Sequence, residues 1–355
     1  MTRRQGPRVL VAGGGAVGAV TALALARAGA RVTLADPAPL GANASGLAAG
    51  MLAPAFETLF DEASPKLGLL RRARDLWPDL AASVGLALNR AGAMAAGTPA
   101  QVETWRDGLA SLGVETVGFS SAQVRDRSPW LTAPLSAVWT DEDWRLEPSA
   151  ALTALRAAAA DLGVRWTGAS VVAFADGRAA MSDGARLASD VLVIATGASA
   201  SLIGAAPELA VMTPIKGHIL CAPALLLHGP VVRLKDVYVC PADGGALVGS
   251  TMEVGRADTA VDPGVAGRLR AHAAAAALIF ATTPLTPSAG VRAATPDGLP
   301  LIGAGREPGV WLAAGARRNG WLLAPLIAQA IVEGVVEHRT PPWARGFDPA
   351  RFDSI

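Results

Sequence analysis

The sharpest hydrophobic patterning lies at the start of the chain. RVLVA (8–12) is a short apolar run of β-formers, and glycines follow it at once. VGAVTALALARA (17–28) then sets apolar positions at helical spacing among good helix formers, and Gly29 ends it. RVTLA (31–35) is a second strand with Asp36 at its end. The order predicts a β–α–β unit. Further on, Pro65 to Val84 reads as one helix kinked at Pro78. Trp130 to Glu147 is irregular. PSAALTALRAAAADLG (148–163) reads as a helix, with proline near its start and Gly163 at its end.

VRWTG, SVVAFAD, RAAMSD and ARLAS then alternate as short strands around Asp-Gly turns at 176–177 and 183–184. DVLVIATGA (190–198) reads as a buried strand ending in Thr196-Gly197. The chain then turns β-rich through PIKGHILCAP, VVRLKDVYVCP and GALVGSTME, with a Pro-Ala-Asp-Gly-Gly turn between the last two. VAGRLRAHAAAAALIF reads as a helix, GVWLAAGA as a strand and GWLLAPLIAQAIVEGVVEH as a closing helix.

A β–α–β start, antiparallel strands in the middle and a return to strand–helix predict a discontinuous Rossmann-like nucleotide domain. A mainly antiparallel sheet domain flanked by helices is inserted into it, so the fold is α/β in its first unit and α+β overall. The expected boundaries are 1–85, 146–210 and 296–355 for the nucleotide domain, and 86–145 and 211–295 for the inserted one.

The glycines after the first strand carry specific chemistry. They form Gly13-x-Gly15-x-x-Gly18. Gly13 permits a tight turn, Gly15 lets the backbone approach a pyrophosphate, and Gly18 lets helix and strand pack closely. The amides that open the helix, those of Ala16 and Val17, point at the phosphates with the positive end of the helix dipole behind them. Asp36, about 20 residues on, suits ribose hydroxyls and disfavours a 2′-phosphate. The motif does not separate FAD from NAD. LGANASGLAAGMLAPAFE follows Asp36, rich in small residues, and suits close approach of backbone at Gly50 and Met51 to a flat cofactor. Thr196-Gly197, at the end of the buried strand from Asp190, is a further candidate for cofactor contact. The closing strand–helix would bring Gly315 to Gly320 to the same place, and two distant glycine-rich segments around one ligand suit a long one such as FAD.

Composition narrows the field. Apolar residues make up 51% and charged residues 17%, and the mean hydropathy is +0.36, but alanine carries much of this. The most membrane-like stretch, WLLAPLIAQAIVEGVV, is broken by Pro325 and Glu333, so no membrane span is expected. Arg3 and Arg4 before an apolar run imitate a signal peptide, but three consecutive glycines interrupt the run. A net charge of +1 with scattered arginines argues against nucleic acid. Two cysteines, Cys221 and Cys240, exclude a disulfide framework and fit a reducing, cytoplasmic compartment. The four histidines lack metal-ligand spacing, so no metal site is expected. Lys216 and His218 share a strand face and read as solvated residues rather than as cations that assist O2 reduction at a flavin, and Glu57 reads as a surface acid rather than as part of the site mouth.

Across GGGAVGAVTALALARAGARVTLAD, ASGLAAGMLAP, DVLVIATGA, TPIKGHIL, YVCPADGGALVGSTME, GVRAATPDGLPLIG and RRNGWLLAP, the chain resembles the D-amino acid oxidase superfamily of FAD-dependent oxidoreductases. Within it the chain is most similar to the glycine oxidases of thiamine biosynthesis. The resemblance implies an FAD domain and a substrate domain whose sheet covers the flavin. It implies that Arg292 binds the substrate carboxylate, that Tyr238 supports it, that Arg318, Asn319 and Gly320 lie by the flavin, and that Ser45 contacts the cofactor. It further implies non-covalent FAD, a small amino acid substrate (glycine, sarcosine or a small D-amino acid), O2 as acceptor and a homo-oligomer. The chain departs from the family at Ala316 and Arg317, where a histidine and an aromatic are usual. It also has Ala293 for a proline and Asp36 for a glutamate. A structural ion pair with Asp297 is the alternative role for Arg292. The rival functions are a D-amino acid or sarcosine dehydrogenase with another acceptor, a flavin oxidase of a modified tRNA base, and a non-catalytic dinucleotide sensor.

Overall fold

The computed structural model describes residues 6–61, 63, 65–223 and 225–353. Arg3 and Arg4 lie outside them. The first β–α–β unit forms as patterned: strand Arg8–Ala12, helix Ala16–Arg27 and strand Arg31–Ala35. These two strands pair in parallel, and Val191–Ile194 pairs in parallel with the first. Val310–Ala314 and Arg165–Thr167 extend the parallel sheet on its two sides, and Leu301–Ala304 adds an antiparallel edge. Thus VRWTG belongs to this sheet. Only Val171–Ala175, Arg178–Met181 and Arg186–Ala188 form the separate antiparallel meander. Helix Gly320–Val335 packs against Ala16–Arg27, and their apolar faces form the largest core with Pro148–Asp161. That burial, more than local propensity, explains why a segment with proline at position 325 stays helical.

The second sheet has nine strands. Thr213–Pro223 is its longest, paired antiparallel with Thr286–Ala294 on one side and with Gly245–Gly249 on the other. Tyr238–Ala242 and Val231–Arg233 follow, then Ala93–Gly97, Ser136–Thr140 and Val117–Phe119. VVRLKDVYVCP, patterned as one run, is therefore a hairpin. The region around Trp130–Glu147, patterned as irregular, holds two strands, Ser136–Thr140 and Trp144–Leu146. The helix predicted over 65–84 is two helices, Leu67–Asp75 and Trp77–Ser83. Pro78 sits in the first turn of the second, where its missing N–H costs nothing; it starts a helix here and kinks none. No helix among the described residues is long and apolar enough to cross a membrane.

Candidate active site

A cavity of about 920 Å³ runs from the glycine turn of the parallel sheet to the edge of the nine-stranded sheet. Gly13, Gly15, Ala16, Val17 and Asp36 line one end, joined by Ser45, Thr196 and Gly197. Gly320, Arg292 and Arg318 line the other. Gly18 lies behind the wall, and a Cβ there would collide with the Gly13 carbonyl, so it serves the close packing of helix on strand. Gly50 and Met51 also lie off the cavity wall, Gly50 at φ +70 against Leu146 and Met51 in a short strand beside residues 144–146. Asn319 is buried at the start of the closing helix. Tyr238 is buried behind Arg292.

The nucleotide end fits the cofactor its motif implies. Asp36 accepts from the Gly14 amide at 2.6 Å and from the Ala38 amide at 2.9 Å, one bond per oxygen, leaving acceptor capacity on both. Ser45 Oγ accepts from the Ala16 amide at 2.9 Å. The amides of Gly15 and Val17 have no partner among the described residues, and both residues face the cavity. A Cβ on Gly13 would strike Ala195, so the turn is open only to glycine. Trp321 Nε1 donates to the Ser45 carbonyl at 3.0 Å, so the C-terminal helix holds the loop that faces the glycine turn.

The other end is a cluster of charge. Arg292 stands opposite Ile215 in the strand pair, and its guanidinium lies over Gly217, two residues along on the same face. Any side chain at 217 would occupy that space. Arg292 donates to the Thr251 carbonyl at 3.2 Å and to Ser250 Oγ at 3.1 Å, and forms no ion pair among the described residues. Asp297, the structural partner it could have had, pairs with Arg351 instead at 2.8 Å. Burial lowers the Arg292 pKa, and Arg318 lowers it further. Tyr238 lies directly across from Gly249, whose missing side chain admits the phenol. Burial raises the Tyr238 pKa against the pull of Arg292, so its hydroxyl stays a donor at neutral pH.

The sequence reading missed the rest of this cluster. Glu57 is buried and binds Arg233 Nη2 at 2.7 Å, with Arg318 Nε at 3.4 Å. Burial pushes the Glu57 carboxyl up, but Arg318, Arg233 and Arg292 together outweigh it and hold it below its ordinary value. Asp61 is buried too, paired closely with Arg317 and lying 3.8 Å from Arg318. Glu57 and Asp61 are four residues apart in PAFETLFD, which puts both on one helical face amid apolar neighbours, a signal visible in the sequence. Arg233 likewise ends an otherwise apolar strand, VVR.

Lys216 and His218 are fully buried rather than solvated. Lys216 Nζ pairs with Asp258 at 2.5 Å, and His218 Nδ1 with Glu253 at 2.8 Å, while His218 Nε2 accepts from the Asp262 amide at 2.9 Å. Both partners come from the segment between the strand hairpin and the next helix, so sequence spacing could not show the pairing. Cys240 is buried, its thiol pushed up to about 11 by burial, and Cys221 is half-buried and free.

Asp143 caps the helix that carries Glu57, accepting from the Ala55 amide at 2.8 Å and the Phe56 amide at 3.1 Å. Burial pushes its pKa from 3.8 up to about 7, against Arg233 and the two amides. The folded protein then holds this proton between those values while the unfolded chain releases it. Its stabilising contribution is present below pH 3.8 and is lost as pH rises through about 7. D143N is therefore expected to show a smaller fall in urea midpoint between about pH 4.5 and about pH 8 than the parent protein. An equal fall would place the effect elsewhere.

A nucleotide cradle on a parallel sheet, continuous with a cationic pocket on an antiparallel one, is the arrangement of a dinucleotide-dependent enzyme. The family model described as FAD dependent oxidoreductase matches residues 8–334, and the chain belongs to that family, DAO. It is 29% identical to the glycine oxidase of Geobacillus kaustophilus over 97% of this chain and 95% of the relative. It is 32% identical to the putative thiamine biosynthesis oxidoreductase ThiO of Rhizobium etli over 95% and 99% of the two chains. The crystal structure of the Geobacillus glycine oxidase superposes with a TM-score of 0.84 at 27% identity, covering 98% of this chain and 99% of that one. The protein is an FAD-dependent oxidoreductase, glycine oxidase-like in sequence and fold.

Proposed function

We propose that the protein oxidises the carbon–nitrogen bond of a small amino acid, such as glycine, sarcosine or a small D-amino acid, to an imine. The observation that carries this reading is Arg292: a half-buried guanidinium on the cavity wall, over a glycine, with donors to spare and no ion pair among the described residues. A carboxylate satisfies such a group with two parallel N–H···O bonds. Tyr238 packs beside Arg292, off the cavity wall, and supports it, and Arg318 adds charge on that wall. Together they fix the Cα–H bond of the substrate in one direction. The glycine turn, the Gly15 and Val17 amides and Asp36 hold the cofactor without a covalent link. FAD, when bound, takes the hydrogen and the electron pair that leave Cα, and dioxygen is the proposed final acceptor, giving H2O2.

The substrate's amine enters neutral, loses its proton as the C=N bond forms, and the imine adds water to give a 2-oxo acid and free amine. The relatives' names support a place in thiamine biosynthesis. A cytoplasmic homo-oligomer with the two-domain division set out above completes the proposal.

The holoenzyme's visible spectrum tests it. Under anaerobic conditions, glycine or sarcosine is expected to bleach the flavin band, and air to restore it with stoichiometric H2O2. Bleaching that air does not reverse would point to a dehydrogenase. A band untouched by glycine, sarcosine and D-alanine would sink the substrate reading.

A further inference from the structure

The cationic end of the cavity holds more positive charge than one substrate carboxylate can answer. Four guanidinium groups meet there: Arg233, Arg292, Arg317 and Arg318. Two of them have an acid of their own, Arg233 with Glu57 at 2.7 Å and Arg317 with Asp61 in close contact. Arg318 shares those two carboxylates, with Nη2 donating to Glu57 Oε1 at 3.4 Å, Nε 3.4 Å from Glu57 Oε2 and Nη1 3.8 Å from Asp61, all longer than the 2.7–2.9 Å or so of a strong charge-assisted bond, so two acids answer three guanidinium groups. Glu57 Oε2, the atom nearest Arg318 Nε, has no hydrogen bond. Arg292 reaches no acid among the described residues. Both leftover cations line the same cavity and sit close enough for the charge of Arg318 to lower the pKa of Arg292.

Two half-buried like charges facing one space are costly unless anions sit between them. A single carboxylate neutralises one of the two; a ligand with two carboxylates neutralises both. We propose that the preferred substrate is an amino acid with a second carboxylate, an N-carboxymethyl or short dicarboxylic amino acid. Arg292 takes its α-carboxylate and Arg318 the second. Arg318 is then the residue that sets specificity. The inference rests on the reading above that Arg292 binds the α-carboxylate, and it leaves the chemistry at Cα unchanged.

Two unreactive ethers test the recognition without turnover. Methoxyacetate mimics sarcosine, and diglycolate is the same molecule with one more carboxylate. Titrated into the oxidised holoenzyme by calorimetry and by the flavin absorbance change, diglycolate is expected to bind at least about tenfold more tightly, the scale of one charged hydrogen-bonded contact. R318Q is expected to bring that ratio to within about threefold, whatever it does to the absolute affinities, while R292Q weakens both ligands. In turnover, iminodiacetate is expected to exceed sarcosine in kcat/KM by a similar factor. Equal binding of the two ethers would mean that one carboxylate bridges both arginines and would overturn the inference; sarcosine oxidised as well as iminodiacetate would do the same while leaving the small-amine reading intact. Binding of neither ether, with neither amine oxidised, would overturn both. If R318Q fails to retain FAD, the comparison on the parent protein decides alone.

Discussion

Arg292→Ala is expected to lower kcat/KM for any amino acid substrate by about 10²–10⁴-fold, since two charge-assisted hydrogen bonds to a carboxylate are lost together at about 1.5–3 kcal/mol each. The loss should fall mostly on KM, with the flavin band retained. Two observations separate this from a structural effect. Arg292 forms no ion pair among the described residues, so its removal strands no buried acid. Its contacts are to a carbonyl, a hydroxyl and a sulfur of residues 250–252, which a water can replace. Loss of flavin in step with activity would show that the arginine holds the fold or the cofactor. Gly217→Ala is a second route to the same result, because the added methyl takes the space of the guanidinium while leaving Arg292 in the chain.

Glu57→Ala is expected to cost about 3–5 kcal/mol of stability, read as a fall in the urea midpoint of the holoenzyme. Glu57 and Arg233 are both nearly inaccessible, at 6% side-chain exposure each, and Arg233 has no other acid within ion-pair distance among the described residues. Removing the carboxylate leaves a guanidinium in the core, where water cannot reach it. The double variant E57L/R233M removes both charges, and it is expected to regain most of the loss, because a buried pair is worth little more than apolar groups that fill its volume. A single variant as stable as the parent would mean that Asp143, or water, takes over the arginine.

The local parts of this structure were legible because their causes are local. The β–α–β start follows from residues 8–36, since alternation, helical spacing, glycine turn and terminal acid lie within thirty or so positions of one another. The hairpin turns at Asp176-Gly177 and in the 242–245 segment follow from residue types that tolerate the required backbone. Arg292 stood out as a cation in an apolar, glycine-rich stretch. The errors over charged residues share one form. By residue type Lys216, His218 and Glu57 read as solvent-facing, because charged residues are mostly exposed. Each is buried because a partner from a distant segment meets it: Asp258 across 42 residues, Glu253 across 35 and Arg233 across 176. Nothing in the spacing of a chain encodes such a meeting.

By itself, then, the sequence determined the nucleotide unit with its glycine turn and Asp36, and singled out Arg292 as a cation in an apolar stretch near the C-terminal end. Backbone geometry and side-chain type act there over a few residues. Tertiary structure alone decided which acids answer which arginines. Glu57 and Asp61, four residues apart at the end of one helix, neutralise Arg233 and Arg317 from far along the chain and leave Arg292 and Arg318 on the cavity wall. The charge of a site is a sum over neighbours in space, and only the packing of the two sheets fixes who those neighbours are.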